Sequence, residues 1–421
     1  MPVAMAGVAM RNPNNRLSSF ALGLLTATSA CVGAAPDDLD DVGDGAQTSA
    51  LTAIGIVRPP VALRAWPVHL AARGGAFYAV MNDGSVRVWG SGPNLGDGAA
   101  SATLTAPTRV ANLDGVVSLA PAPDHVCALR SDGAARCWGE GWTGQLGNGT
   151  YLVANSATPV AVQGAVRFTS LTSIDNTTCG VSRDADKRVY CWGANPGLAG
   201  FAPASVPAGT SLTGAERVFG PGLFIARIAN PYGGAGLLLT WGPGDFLNVT
   251  RRGLTGAVAT PTSMPQWTVG STAFPLADVQ AGASHACAVD TTGWVACVGG
   301  NAHGELGNWS TVSSAVPTGT SPPFTQAASI SVGLWHTCAV RRDGALYCWG
   351  SNQKGQLGDP RNLNYIAAPN AVPNLTGVVE VAAGDDRTCA LRSDSTVWCW
   401  GGANGGSAGL LPALSPVRIT F

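Results

Sequence analysis

From about Ile56 onward, apolar and polar residues alternate over short runs punctuated by glycine and proline, and helical periodicity is almost absent. The segment CAVRRDGALYCWG, residues 338–350, shows the unit. Its runs CAVR and ALYC are strand formers flanking Arg342-Asp343-Gly344, whose glycine supplies the positive φ that a short hairpin loop requires. Folding about Asp343 sets Cys338 opposite Cys348 and Val340 opposite Leu346. Opposed Cα atoms in an antiparallel pair lie roughly 4.5–5.5 Å apart and a disulfide spans about 4.4–6.8 Å, so a cross-strand bridge is available.

The unit repeats. CALRSDGAARCWG (127–139), CGVSRDADKRVYCWG (179–193), CAVDTTGWVACVG (287–299) and CALRSDSTVWCWG (389–401) are close copies, while YAVMNDGSVRVWG (78–90) and LLLTWG (237–242) lack the cysteines. The Trp-Gly positions Trp89, Trp138, Trp192, Trp241, Val298, Trp349 and Trp400 recur every 49 to 57 residues. A period of that size signals a repeat architecture. Each unit adds a glycine-bearing approach (GLWHTC, GASHAC, GDDRTC), a GQLG-like turn and a Pro-led apolar strand such as ATPVAVQG (157–164). About four short strands per unit read as propeller blades.

The pattern H-x-C-A-L-x-x-D-G-x-x-x-C-W-G followed by N-x-x-G-Q-L-G resembles the repeat of the regulator of chromosome condensation family, over roughly residues 56–421. The resemblance implies an all-β, seven-bladed β-propeller with the hairpin disulfides inside the blades. It is most specific in the second, fifth, sixth and seventh units, and the fourth, about 214–250, departs furthest. The last segment, SPVRITF (415–421), is expected to close the ring by pairing strands from the two ends of the chain, since the first hairpin follows only a short apolar run.

With 56 glycines, 28 prolines and a net charge of −1 in 421 residues, the chain is a turn-rich β protein large enough for one propeller. It carries no Lys/Arg stripe, so nucleic acid is not an expected partner. Ten of the eleven cysteines form the hairpin pairs Cys127 with Cys137, Cys179 with Cys191, Cys287 with Cys297, Cys338 with Cys348 and Cys389 with Cys399, and each pair is expected to be a disulfide. Across the seven copies both positions are cysteine or neither is, which is how bonded partners behave. In the third copy the turn grows by two residues, an even insertion that keeps Cys179 and Cys191 on one face. Zinc would need closer ligand spacings and companion histidines; buried free thiols are the other alternative. Disulfides at this density point to an oxidising compartment.

Residues 1–31 read as a secretory leader, with Arg11 and Arg16, an apolar run Phe20–Ala30 too short to span a bilayer, and small residues before Cys31; Met10 is an alternative start. TSAC is similar to a bacterial lipobox, with Thr28 where leucine is usual, which makes Cys31 the candidate lipidation site; plain secretion is the alternative. Residues 32–58 are small and acidic and read as a flexible tether. Their aspartates lack the calcium-loop spacing. Residues 59–421 form the propeller.

No catalytic constellation emerges. Gly405-Gly406-Ser407-Ala408-Gly409 matches a nucleophile elbow but falls where the preceding unit has its GQLG turn. His125, His285 and His336, two places before a cysteine, are expected to be structural rather than metal ligands. The Asp-Gly turns are not sialidase Asp-boxes, because the tryptophan follows one strand later. What remains is surface: Trp142, Trp267, Trp309 and Trp335 are the candidate binding residues, with the connections of units four to six as the expected docking region. Inter-blade packing is the alternative role for each. The expected protein is a monomeric, non-enzymatic, cofactor-free protein-binding module in the cell envelope or secreted, touching the membrane only through a lipid anchor. The alternatives are an inhibitor of an extracellular enzyme, similar to a β-lactamase inhibitor of this fold, and a carbohydrate-active enzyme.

Overall fold

The computed structural model of the chain describes residues 65–92, 95–99, 102–150, 155–174, 176–194, 200–205, 212–219, 224–228, 237–242, 258–263, 268–269, 272–273, 275–282, 284–361, 364–402 and 413–421. The leader, the acidic stretch, Cys31, Trp267 and Gly405–Gly409 lie outside them. The described strands form seven four-stranded antiparallel sheets, within 67–109, 116–161, 168–205, 215–263, 276–319, 327–371 and 378–419, and a two-stranded ribbon at 268–273. Each sheet is a meander of one contiguous stretch, the arrangement of a β-propeller.

The hairpin register follows from the sequence pattern. Cys338 faces Cys348, Val340 faces Leu346, and Cys179 faces Cys191 across the longer third turn. The same register sets Cys127 against Cys137, Cys287 against Cys297 and Cys389 against Cys399. Gly344 turns with φ +81°, and Asp343 Oδ1 accepts from Ala345 N at 3.0 Å to close the loop. In every sheet the innermost strand shifts register near its start, a β-bulge that leaves one unmatched residue. Val68, Val117 and Val379 are three of these, each about half exposed.

The cores lie between sheets rather than within them. Tyr78, Val86 and Leu95 of the first sheet pack on Val126 and Trp138 of the second, and equivalent clusters join the second to the third, the fifth to the sixth and the sixth to the seventh. The third and fourth meet through Ile174, Val181, Ala215 and Val218.

Closure differs from the expectation that strands from both ends would pair. The strand Ala413–Ile419 bonds to Val397–Gly401 alone, and the first sheet is built wholly from 67–109. The ends meet face to face instead: Leu70, Phe77 and Trp89 pack on Ala382, Leu391 and Ile419, and Phe421 sits edge-on to Trp89 at 5.5 Å. Glu380 accepts from Leu70 N at 2.7 Å and pairs with His69 at 2.6 Å, and Asp385 N donates to Gly74 O at 2.9 Å. The reason is that Pro67–Arg73 already supplies the inner strand of the first sheet, so no edge is left wanting a strand from the far end.

Candidate interaction surface

Every repeated residue type has a place at the sheet junctions. His336 Nε2 lies 2.9 Å from Thr388 Oγ1 of the next sheet, and that hydroxyl donates to the Gln356 carbonyl at 2.7 Å. The histidine is therefore the donor to the threonine, through its Nε2–H. Trp400 Nε1 donates to the same carbonyl at 2.9 Å. The latch recurs from His285 to Thr337, with Thr337 and Trp349 both on the Glu305 carbonyl, and His125 reaches Thr178 at 2.7 Å while Trp192 donates to Gln145 O. The GQLG-like turn is what presents that carbonyl. A side chain at Gly307 would meet the Trp349 indole at 2.8 Å, so the turn's last residue must be glycine for the tryptophan to reach.

The histidines are thus structural. Burial, together with the charge of His336, pushes His285 down to about 3, and burial alone does the same to His336. Both are held neutral. The described residues include no cluster of metal-ligating side chains.

The cysteine pairs sit directly behind the latches. Cys127 and Cys137, Cys179 and Cys191, Cys287 and Cys297, Cys338 and Cys348, and Cys389 and Cys399 each bring their Cα atoms to 4.0–4.1 Å, and none of the ten is more than 6 % exposed. Cys127 Sγ and Cys287 Sγ lie 3.4 and 3.6 Å from the latch hydroxyls of Thr178 and Thr337. The pairs face the junctions and present nothing to solvent.

A central cavity of about 900 Å³ is lined by the first strands of all seven sheets. Two ion pairs join adjacent sheets along its wall, His69–Glu380 at 2.6 Å between the first and seventh and Arg217–Asp278 at 3.4 Å between the fourth and fifth. Burial holds the Asp278 carboxyl above its ordinary range despite Arg217. His69 is raised: burial opposes its charge, and the hydrogen bond and charge of Glu380 together outweigh it. Glu380 and Asp278 are thus each engaged with a neighbouring sheet, and Asp124 and Asp385 also line the cavity.

In an up-and-down meander the first–second and third–fourth connections emerge at one end and the second–third turns at the other. The turn end carries Arg130–Asp132 and Arg392–Asp394 pairs, closed within their own hairpins at 3.2 and 2.9 Å. The opposite end carries the tryptophans. Trp142 is 50 % exposed where aligned repeats have Ala302 and Gln353. Trp335 is half-buried beside the channel mouth, edge-on to His303 at 5.9 Å. Trp309 is 70 % exposed and stands apart, at the outer wall, where its N–H donates to Ala367 O of the next sheet at 2.8 Å. The structure therefore splits Trp309 from Trp335, which the sequence had grouped. Val312, Val316 and Tyr365, also exposed, went unnoticed in sequence because a lone valine or tyrosine in an alternating strand carries no signal of which face it takes.

Comparison with known proteins gives the same picture. The regulator of chromosome condensation (RCC1) repeat matches at 327–356 and 378–406, with a second repeat description at 343–391. The chain is 27 % identical over 348 residues to the ultraviolet-B receptor UVR8 of Arabidopsis thaliana, covering 79 % of this chain and 76 % of the receptor. It is 26 % identical over 370 residues to human E3 ubiquitin-protein ligase HERC2, covering 84 % of this chain and only 7 % of that protein. Yeast RCC1 (Prp20), solved bound to Kap60, superposes with a TM-score of 0.63 at 19 % identity, with 85 % of each chain covered. The junction latches, the cysteine hairpins and these matches lead to one conclusion: the chain carries regulator of chromosome condensation repeats within 327–406 and has the propeller fold seen in yeast RCC1.

Proposed function

We propose that this chain is a non-enzymatic protein-binding propeller of seven blades, the fourth sheet being a full blade, and that it docks partners through the loop end of the ring. The observation that carries the reading is Trp142, half in solvent on a scaffold whose junctions are latched by hydrogen bonds, in a position that other repeats fill with alanine or glutamine. A rigid exposed aromatic on a fixed loop loses little entropy on binding and desolvates well. Trp335 shares the same end, beside the channel mouth. Two of the four carboxylates that line the cavity, Glu380 and Asp278, are tied up in inter-sheet pairs, as scaffold residues are. The relatives agree in kind: yeast RCC1 is solved with Kap60, and Prp20p with its binding properties to Gsp1p and histones.

The hairpin cysteines, in this reading, are disulfides formed after export, and Cys31 carries a lipid anchor that keeps a monomeric propeller in the cell envelope. The test is capture of envelope and secreted proteins by the full chain, followed by affinity measurement on the partner found. Trp142→Ala and Trp335→Ala are each expected to weaken binding more than about fivefold, equivalent to about 1 kcal/mol. Parental affinity in both variants refutes the placement.

A further inference from the structure

The strangest residue in the ring is Trp309. Its φ is +60°, a left-handed conformation in which the Cβ of a bulky L-residue crowds the backbone. The same place in the first and second repeats is Gly98 (φ +86°) and Gly149 (φ +77°), and Gly98 N makes the same kind of bond to the next sheet, to Ala157 O at 3.0 Å. The backbone there is built for glycine. A tryptophan that accepts this strain for packing would be buried, yet Trp309 is 70 % exposed.

Its loop is also fastened. The buried Asn301 side chain donates its two amide hydrogens to Ser310 O and Val312 O at 2.9 and 3.1 Å, with Asn308 Oδ1 3.3 Å from the same nitrogen, and accepts from Leu306 N at 2.9 Å, fastening both ends of the loop. Around it stand Val312 (73 % exposed), Val316 (50 %) and Tyr365 (46 %), the last two residues along the strand from Ala367, about 7 Å. The same loop and strand starts carry Ser310, Thr311, Ser313, Ser314 and Asn364. From Leu306 to Trp335 the chain has no Asp, Glu, Lys, Arg or His, and neither has 362–371.

We propose that this outer wall between the fifth and sixth sheets is a binding platform for a neutral polysaccharide. A pyranose ring has apolar C–H faces and hydroxyl edges. It stacks on a planar indole or phenol through the first and hydrogen-bonds hydroxyls and amides through the second. An exposed Trp and Tyr separated by apolar and hydroxyl side chains, with no charge, match both. A protein partner is ordinarily met by charged groups that steer encounter and set register; neither stretch carries one, and Arg361, just outside them, is paired with Asp359. The proposal does not rest on protein docking at the loop end, which uses other residues.

The test is electrophoresis of the full chain through native gels containing hydroxyethylcellulose, laminarin or mannan, with a tryptophan-fluorescence titration by chitohexaose. At least one of the four is expected to bind, and Trp309→Gly and Tyr365→Ala to weaken that binding at least tenfold. Val417→Ser, an exposed apolar position on the last sheet, should bind as the parent does. Trp309→Gly should melt at or above the parental temperature, because the backbone gains the residue it favours. The idea is overturned if none of the four binds, if Trp309→Gly binds as the parent does, if it melts several degrees lower, or if only heparin binds and salt abolishes it. A protein partner lost with Trp309→Gly while all four glycans fail would assign the wall to protein docking instead.

Discussion

Acidification from pH 7.5 to 5.0 should destabilise the ring through two buried histidines. His285 and His336 are neutral in the fold, with pKa values near 3, whereas an unfolded histidine titrates near the ordinary 6.5. The folded values are depressed, so the stability is fully present above about pH 6.5 and is lost as pH falls toward 3. At pH 5 the unfolded histidine holds a proton that the folded one refuses, over about 1.5 pH units at about 1.4 kcal/mol each. That is about 2 kcal/mol per residue and about 4 for the two. With an unfolding entropy of about 2.1 cal/mol/K per residue over roughly 360 residues, the melting temperature should drop by about 5 °C. Other groups work in different windows. His69, raised by Glu380, stabilises the fold at low pH, and the lowered carboxylates Asp359 and Asp394 lose their contribution only below about pH 4. The double variant His285→Gln/His336→Gln isolates the effect, since a glutamine Nε2 still donates to Thr337 and Thr388 but does not titrate. Scanning calorimetry at both pH values should find the variant about 5 °C less sensitive than the parent. Equal drops in parent and variant would show that these histidines are not the cause.

Alkylation of the unreduced protein should label none of the ten hairpin cysteines by intact mass; two or more labelled thiols would overturn the disulfide reading. Deleting 414–421 removes Ile419 and Phe421 from the closing junction and should cost about 3 kcal/mol or more, from two apolar side chains at about 1.5–3 kcal/mol each. An unchanged melting curve would move closure elsewhere. Gly307→Ala combines a φ of +68° with a contact 2.8 Å from the Trp349 indole and should cost about 2 kcal/mol or more, whereas Gly164→Ala, at φ +99° with nothing within 4 Å, should cost about 1. Equal losses in denaturant titration would show that the indole contact is not what demands glycine at the turn.

What depends on near neighbours in the chain is legible from residue order alone. The Asp-Gly turn and the alternation of CAVR with ALYC suffice to place Cys338 against Cys348, because hairpin register is set within a dozen residues. The period gave the repeat, and the all-or-none cysteines gave the pairing, down to Cys389 against Cys399 in a copy whose turn has lost its glycine. The histidines could be named as structural, but not the threonine each one binds, since Thr388 lies 52 residues from His336 and only the stacking of sheets brings them together. Closure was misread for the same reason: an end-to-end junction leaves no local trace, and Pro67–Arg73 precedes a hairpin that lacks the cysteine marker. Trp309 and Trp335 look alike as loop tryptophans 26 residues apart. The stacking of sheets separates them: Trp335 packs toward His303 near the channel while Trp309 is held in a glycine's conformation on the outer wall, because exposure and left-handed φ are fixed by contacts with the next sheet rather than by the residues on either side.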